Sequence, residues 1–332
     1  MKSYLMGILY CLALPVTAET LTAKDYAEKG MQHAGVFPGL VRICDIETPL
    51  RNAAIRTRPA ASEKKPKRKR TRSAPVAPTQ VFDNLYFVGT GGVSSWVLKT
   101  DKGLILIDAL NNNSEAEKYI EQGLIELGLD PNDLKYLIIT HGHGDHYGGQ
   151  EFLVKKYQPR LVMSHIEWTR LEQPELDFSS PRWGKRPTRD ITIKDGEPLE
   201  LGDTKVSVHV TPGHTPGTIS LIFPVFDNGQ QHMVSLWGGT GLNYGSDRER
   251  ILTYSQTAER FKGIAETAGV DIFLSNHPSI DGSRERFPAM LTRKKSEPHP
   301  FVIGKQQALK AFDMLNKCTY AQVLRIDESA RD

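Results

Sequence analysis

The chain has 332 residues, of which 39% are hydrophobic and 24% charged, and its formal net charge is +3. A chain of this size and composition buries a full hydrophobic core, which excludes a wholly disordered protein. The net charge is a poor guide to partners, because seven Lys and Arg residues lie in the run 64–72 and the rest of the chain is mildly acidic.

The first 18 residues have the pattern of a signal peptide. Lys2 precedes an apolar run at residues 4–15, and the small-residue sequence Val-Thr-Ala ends at Ala18, where we expect cleavage. A membrane anchor is the alternative, but the run is far shorter than the ~20 residues of a spanning helix. No other stretch is apolar enough to span a bilayer, so the sequence predicts a periplasmic or secreted protein.

Residues 19–79 form a predicted N-terminal extension whose structure is hard to predict beyond a helix-compatible stretch at 21–31. Its basic run is interrupted by Pro66 and contains no aromatic residue, so we expect a solvated, flexible linker and no specific nucleic-acid partner. Adhesion to an anionic surface is the alternative. Oligomeric state cannot be predicted from this sequence.

Three cysteines become two if Cys11 leaves with the signal peptide. In an oxidising compartment Cys44 and Cys318 either pair or remain as two buried thiols, and the sequence does not decide between these outcomes. Neither lies near a histidine motif, so thiolate ligation of a metal is not expected.

A predicted domain covers residues 80–295, and a C-terminal helix and tail cover 296–332. Hydrophobic runs predict strands at 85–88, 95–98, 104–107, 136–139, 160–164, 206–210, 233–237 and 271–274. Periodicity predicts helices at 114–127 with Ser114 as N-cap, and at 150–157, 257–268 and 305–317. A glycine-containing turn at 101–103 predicts a hairpin.

Histidines follow three of the predicted strands, at His141, His214 and His277. Loops at one edge of a sheet are a common place for catalytic groups. The first of these loops reads Thr-His-Gly-His-Gly-Asp-His-Tyr-Gly-Gly over residues 140–149. Gly142 and Gly144 are expected to let the backbone turn sharply at unusual φ, so that alternate side chains converge.

Imidazole and carboxylate are the ligands that zinc, iron and manganese accept. One tetrahedral metal does not readily use four such groups from six residues, so the cluster predicts two metals. The remaining histidines are predicted not to be ligands; they are His33, His165, His209, His232 and His299.

The His-x-His-x-Asp-His motif at 141–146 resembles the hallmark of the metallo-β-lactamase superfamily, and the likeness covers roughly residues 80–280. It implies an α+β fold, a four-layer αβ/βα sandwich with the metal site along one sheet edge. By this resemblance three histidines hold one zinc ion and an Asp-His-His set holds a second. The two sets are His141, His143 and His214, and Asp145, His146 and His277.

The segment Ser-Leu-Trp-Gly-Gly-Thr-Gly at 235–241 lacks the bridging aspartate of thioesterase-like and lactonase-like members, and the cysteine of two β-lactamase subclasses. The chain therefore looks most like the third β-lactamase subclass. Thr240 is a candidate for the serine that those enzymes often have near this point, and Asn243 is a second candidate substrate contact.

The resemblance implies an exported dinuclear zinc hydrolase in which a hydroxide between the metals opens a β-lactam ring and Asp145 orients the nucleophile. A lactonase or other ester or thioester hydrolase on the same fold is the alternative, and a non-enzymatic protein with structural metal is a third. A small molecule is the expected substrate. Asp108 is either a partner of a ligand histidine or a strand-terminating residue.

Overall fold

The computed structural model describes residues 21–54 and 76–331. The predicted signal peptide and the basic run 64–72 lie outside the described residues. Among the helices of the described ranges, none is both long enough and apolar enough to cross a membrane.

The first sheet has seven strands in the order in which they occur along the chain. Strands β1 to β4 pair antiparallel, and β4 to β7 pair parallel. The strands are β1 (Thr79–Phe82), β2 (Leu85–Phe87), β3 (Trp96–Thr100), β4 (Gly103–Ile107), β5 (Leu134–Ile138), β6 (Arg160–Ser164) and β7 (Ile191–Ile193).

The second sheet has five strands in the order β12, β11, β10, β9, β8. Its pairs are antiparallel except for β11 and β12, which are parallel. The strands are β8 (Pro198–Leu201), β9 (Thr204–Val210), β10 (Ile219–Asp227), β11 (Gln230–Trp237) and β12 (Ile272–Ser275).

Helices cover the outer face of each sheet. The described helices are α1 (Ala23–Met31), α2 (Asn113–Glu115), α3 (Gln122–Glu126), α4 (Gly144–Tyr147), α5 (Gln150–Tyr157), α6 (His165–Leu171), α7 (Arg248–Thr267), α8 (Ser283–Thr292) and α9 (Lys305–Ser329). A π-helical turn, Ala116–Glu121, joins α2 to α3, and 3₁₀ turns occupy Pro38–Ile43 and Pro131–Asp133.

Alternation along the strands divides the core into layers. In β4, Ile105 and Ile107 face the second sheet, whereas Leu104 and Leu106 pack under the helices of the first. A third cluster lies between the second sheet and α7 and α9. Because both faces of each sheet are buried, the central strands are continuous apolar runs. The predicted four-layer αβ/βα fold is confirmed.

Several local predictions differ from the structure. The helix predicted at 114–127 begins earlier, because the Asn112 side chain caps it by accepting from the Glu115 N–H (3.0 Å). Helix α7 begins at Arg248 rather than 257, with Asp247 as its cap. Strand β10 was missed, since its run is buried without alternation and contains Pro224.

The N-terminal extension is anchored to the C-terminal helix. Helix α1 packs on α9, and Cys44 forms a disulfide with Cys318 of α9. The pairing that the sequence left open is therefore present. Predicted to end at 317, α9 continues to Ser329 and packs on α7 as well as α1.

Candidate metal centre and active site

The three histidine-bearing loops meet at one edge of the sandwich. His141 follows β5, His214 follows β9 and His277 follows β12. The short helix α4 begins at Gly144 and turns Asp145 and His146 back toward the loop. All six predicted ligands are brought together in two adjacent groups of three.

The first group has three imidazole nitrogens at the corners of a triangle. His141 Nε2, His143 Nδ1 and His214 Nε2 are each 3.1 Å from the other two. The three residues are 1%, 8% and 5% exposed. Nitrogens that bind one tetrahedral ion at ~2.0–2.1 Å lie close together in this way.

The second group consists of Asp145, His146 and His277, whose ligand atoms lie within 4.8 Å of one another. His146 Nε2 is 3.6 Å from Asp145 Oδ2. The ring centroids of His141 and His146 are 4.3 Å apart, so the two groups are neighbours.

Hydrogen bonds on the outer side of the rings set their tautomers. His146 Nδ1–H donates to Asp108 Oδ2 (2.7 Å), His277 Nδ1–H to the Gly92 carbonyl (2.8 Å) and His214 Nδ1–H to the Gly241 carbonyl (2.6 Å). Because carboxylate and carbonyl oxygens only accept, each Nδ1 carries the proton and each Nε2 keeps a lone pair directed into the site.

Burial keeps most of these imidazoles neutral. It is the largest cause that lowers the pKa of His141 and His214 well below 6.5, that of His143 to about 3, and that of His277. Neutral imidazole is the form that binds a metal. At neutral pH these four rings are therefore ready to act as ligands.

The Asp145 and His146 pair carries the charge of the site. Burial raises the pKa of Asp145, but His146 and then His277 outweigh it and lower that pKa to about 2. Burial lowers the pKa of His146, but Asp145 and Asp108 outweigh it and raise that pKa. A cation bound here would take over from His146 the positive charge that stabilises the Asp145 carboxylate.

These residues fit two metal ions by their donor chemistry. Three nitrogens at 3.1 Å cannot all satisfy one another, because each neutral ring presents one nitrogen that is either a donor or an acceptor, so at least two of the three have the same role. Within residues 21–54 and 76–331, His146 Nε2 is a buried nitrogen without a hydrogen-bond partner. The geometry thus presents two candidate His/Asp sites.

Asp108 supports the ligand loop and is the partner of a ligand histidine, the first of its two predicted roles. It is 1% exposed and accepts from the Thr140 N–H (2.8 Å), the Thr140 hydroxyl (2.9 Å) and His146. Its φ of 64° lies in the left-handed region, which Asp tolerates better than most residues.

Two further buried carboxylates hold the ligand loops, and sequence reasoning missed both. Glu167 of α6 accepts from the Gly142 N–H (2.7 Å) and from the Gly217 N–H (2.8 Å), joining the His141 loop to the His214 loop. Asp281 accepts from the N–H groups of Ser275 (2.7 Å) and Ser283 (2.8 Å) beside His277. Neither belongs to a motif; the only signal for Glu167 is an acidic residue just after a buried strand.

The glycines of the motif are needed for space rather than for unusual φ. Neither Gly142 nor Gly144 has a positive φ, contrary to the expectation of a strained turn. A Cβ at Gly142 would lie 2.5 Å from Glu167 Oε2, and one at Gly144 would overlap Trp183. Close packing on these two side chains is therefore the reason for glycine.

A pocket of about 420 Å³ opens over both groups of ligands. The predicted substrate contacts Thr240 and Asn243 both line it. Thr240 is 1% exposed, and its hydroxyl has no hydrogen-bond partner among the described residues. Residues 48–51 of the N-terminal extension, together with Arg42, Ile43 and Asp45, form another wall that the sequence did not reveal.

The histidines predicted not to be ligands lie elsewhere. His232 Nδ1 is 2.6 Å from Asp271 Oδ2, and His299 Nε2 is 2.7 Å from the Val81 carbonyl. His209 packs edge-on against Phe261, and His165 is next to Arg189. None of these joins either group of ligands.

Residues 88–225 match the family model of the metallo-beta-lactamase superfamily. The chain contains a metallo-β-lactamase superfamily domain. This confirms the resemblance seen in the 141–146 motif. The match of this segment to a superfamily of metallo-hydrolases supports hydrolysis as the reaction type.

Solved structures of β-lactamases share the fold of this metallo-β-lactamase domain. BJP-1, a subclass B3 metallo-beta-lactamase of Bradyrhizobium japonicum, is 27% identical with a TM-score of 0.61, over 79% of this chain and 96% of that one. MIM-1 from Novosphingobium pentaromativorans is 24% identical with a TM-score of 0.63, over 78% and 93%. The second likeness supports the fold alone.

Curated sequence relatives have a different activity in their names. A hydroxyacylglutathione hydrolase of Rhodopseudomonas palustris (strain BisB5) is 34% identical over 87 residues, 26% of this chain. The match spans only 28% of that relative's length. It concerns a local segment and leaves the substrate open.

Proposed function

We propose that this protein is an exported, dinuclear zinc-dependent β-lactamase, an enzyme that opens the cyclic amide of β-lactams. The observation that carries the proposal is the pair of adjacent ligand groups, three residues each, with neither aspartate nor cysteine in the segment 238–241 that closes the site. The likeness to a subclass B3 enzyme over nearly its whole length supports the same choice.

Export is proposed from the sequence of residues 1–18 and is compatible with the disulfide between Cys44 and Cys318. Disulfides persist in oxidising compartments such as the periplasm and are rare in the cytosol. A periplasmic or secreted location is thus part of the proposal.

Zinc ions held by the two groups would supply Lewis acidity and would lower the pKa of water to about 7, where hydrolysis at neutral pH becomes feasible. Asp145, with its pKa of about 2, stays ionised. Its carboxylate is able to accept a hydrogen bond from the attacking water and so to orient that water. Asp108 holds His146 in the tautomer that leaves Nε2 available.

The pocket walls would orient the substrate. Thr240 lines the pocket, and its buried hydroxyl, which lacks a partner among the described residues, is the group that we propose donates to a substrate oxygen. The Asn243 carbonyl accepts from the Ala53 N–H (2.7 Å), which fixes the backbone of this residue at the pocket, and its side-chain amide is the second substrate contact in the proposal. Satisfying a buried hydroxyl in this way favours a polar substrate group at that position.

A thioester or ester hydrolase is the second candidate. The curated relatives named as hydroxyacylglutathione hydrolases favour it, and the metal centre itself is compatible with either scissile bond. The absence of an aspartate from residues 238–241 is the feature that favours the amide-opening reaction.

A substrate panel on the zinc-loaded protein beginning at residue 19 tests the proposal. The panel contains a chromogenic cephalosporin, a carbapenem, an acyl-homoserine lactone and a hydroxyacylglutathione thioester. We expect the highest kcat/KM for the two lactams. Turnover of the lactone or the thioester alone would overturn the β-lactamase assignment and leave the hydrolase.

Two histidine variants test the metal centre in the same assay. His277→Ala is expected to lose one zinc per chain and most of the activity, because it removes a ligand of the second group. His165→Ala removes an exposed histidine away from the pocket and should leave both unchanged. One zinc per chain in the parent protein, with no loss of hydrolysis in His277→Ala, would contradict a dinuclear mechanism.

A further inference from the structure

The segment of residues 42–54, here called the N-terminal strap, closes one side of the pocket. The Cys44–Cys318 disulfide attaches it to α9. Gln322 donates to the carbonyls of Ile43 and Asp45, both at 2.9 Å. The strap is therefore a fixed wall of the site over its first residues.

The far end of the strap pairs with the loop that carries Thr240. Ala53 N–H donates to the Asn243 carbonyl (2.7 Å), and Gly245 N–H donates to the Arg51 carbonyl (3.0 Å). Asn52 and Tyr244 form an isolated β-bridge. These backbone hydrogen bonds fix the position of the Arg51 backbone at the edge of the pocket.

Two arginines of the strap, Arg42 and Arg51, line the pocket together with both groups of metal ligands. Both are exposed, and neither is in an ion pair or side-chain hydrogen bond with any residue of the described ranges. Other arginines near the site are committed to protein groups. Arg250 donates to the Gly213 carbonyl (2.9 Å) and lies over the Tyr244 ring, and Arg284 donates to the Gly91 carbonyl (2.8 Å).

The acidic groups of the pocket do not neutralise these two guanidinium groups. Among the acidic side chains of the described residues, only those of Asp45 and Asp145 line the pocket. Asp45 Oδ1 accepts from the N–H groups of Glu47 (3.1 Å) and Thr48 (3.0 Å), and Asp145 belongs to the second ligand group. The strap thus presents two positive charges without a partner at the entrance to the site.

We propose that Arg42 and Arg51 form an anion-binding subsite that selects substrates bearing a carboxylate. Guanidinium groups suit carboxylates because their planar N–H donors match the two oxygens. The inference rests on the proposed hydrolytic function. It narrows the substrates of that reaction to those that carry a negative charge.

Matched substrate pairs test the subsite. Each pair has the same scissile bond, in a lactam, a lactone or a thioester, and one member carries a free carboxylate while the other carries its methyl ester. For the pair that the zinc-loaded enzyme cleaves, we expect kcat/KM to be about tenfold higher for the acid, mainly through KM. Raising the salt concentration should reduce this preference.

The variant Arg42→Ala/Arg51→Ala should lose the preference for the acid and keep its activity on the ester. Lys99→Ala/Lys135→Ala is the matched control, because it removes two exposed positive charges of the first sheet, away from the pocket. The control should retain the preference. Circular dichroism and zinc content verify that the double arginine variant is folded and loaded.

The outcomes separate this inference from the proposed function. Cleavage of the lactone or thioester pair without cleavage of the lactam pair contradicts the β-lactamase assignment, yet the acid and ester of the cleaved pair still report on the arginines. Equal kinetics for acid and ester, or a preference that survives in the arginine variant, overturns the subsite. If no pair is cleaved, calorimetric binding of the same compounds gives the comparison, and equal or absent binding of the acids also overturns it.

Discussion

Replacement of Asp108 by Asn tests how the site holds His146. Oδ2 of Asp108 accepts from the Thr140 hydroxyl (2.9 Å) and His146 Nδ1–H (2.7 Å), and Oδ1 accepts from the Thr140 N–H (2.8 Å). An amide has one oxygen and one NH₂ group. In either orientation at least one of these buried donors therefore faces another donor.

The expected magnitudes follow from those contacts. A hydrogen bond to a charged group is worth about 1.5–3 kcal/mol, so Asp108→Asn should lower the free energy of unfolding by about that much. Asn also tolerates the left-handed φ of 64°, so backbone strain adds little. Loss of the negative charge behind His146 should weaken zinc binding at the second group about 10–100-fold.

Zinc content at buffered free zinc, together with competition by a chromophoric chelator, measures the two affinities. We expect the first zinc to bind nearly as in the parent protein, because Asp108 reaches His141 only through Thr140. Asp271→Asn is the matched control, since Asp271 accepts from His232 at 2.6 Å outside the site. The reasoning is refuted if Asp108→Asn binds its second zinc ion as tightly as the parent protein does, or if Asp271→Asn loses as much affinity for that ion.

Three further predictions concern the loops, the disulfide and pH. Glu167→Gln leaves one of two buried N–H donors facing an amide NH₂. We therefore expect kcat to fall and urea titrations to show a free energy of unfolding lower by about 1–3 kcal/mol. A kcat equal to that of the parent protein would contradict a positioning role. Cys44→Ser/Cys318→Ser should cost about 2–4 kcal/mol in the same titration, and reductant should destabilise the parent protein but not the variant. In metal-free protein, the pKa of His143 is about 3 against 6.5 for the ordinary side chain. Between pH 3 and 6.5 the unfolded chain binds more protons than the folded one, so the free energy of unfolding should fall as pH is lowered from about 6.5. His143→Gln should reduce this dependence of the free energy of unfolding on pH. An equal dependence in both proteins would contradict the prediction.

Much of the fold was predictable because its strands are strongly hydrophobic. Strand β6 and helix α5 have the predicted boundaries, and the strands that precede His141, His214 and His277 were all recognised. Strand β10 was not, because an apolar run without alternation and with an internal proline lacks the period of two that marks a half-buried strand. Helix α7 was cut short because its first two turns carry several charges.

The candidate ligands were predictable because four of the six are adjacent in the chain. The supports of these ligands were not, since Glu167 and Asp281 act through backbone N–H groups, which any sequence provides. The role of Gly142 was also misassigned, because its reason is the Glu167 carboxylate from a different element.

The sequence by itself determined the ligand types and the order in which they follow strands, because these depend on local patterns of hydrophobicity and on a short motif. Only the tertiary structure decided which segment of the chain lines the pocket together with the candidate metal ligands. The N-terminal strap reaches the site through a disulfide that joins residues 274 positions apart and through backbone pairing with residues 243–245. Contacts at such separation depend on how the whole chain packs, and no local pattern at Arg42 or Arg51 encodes them.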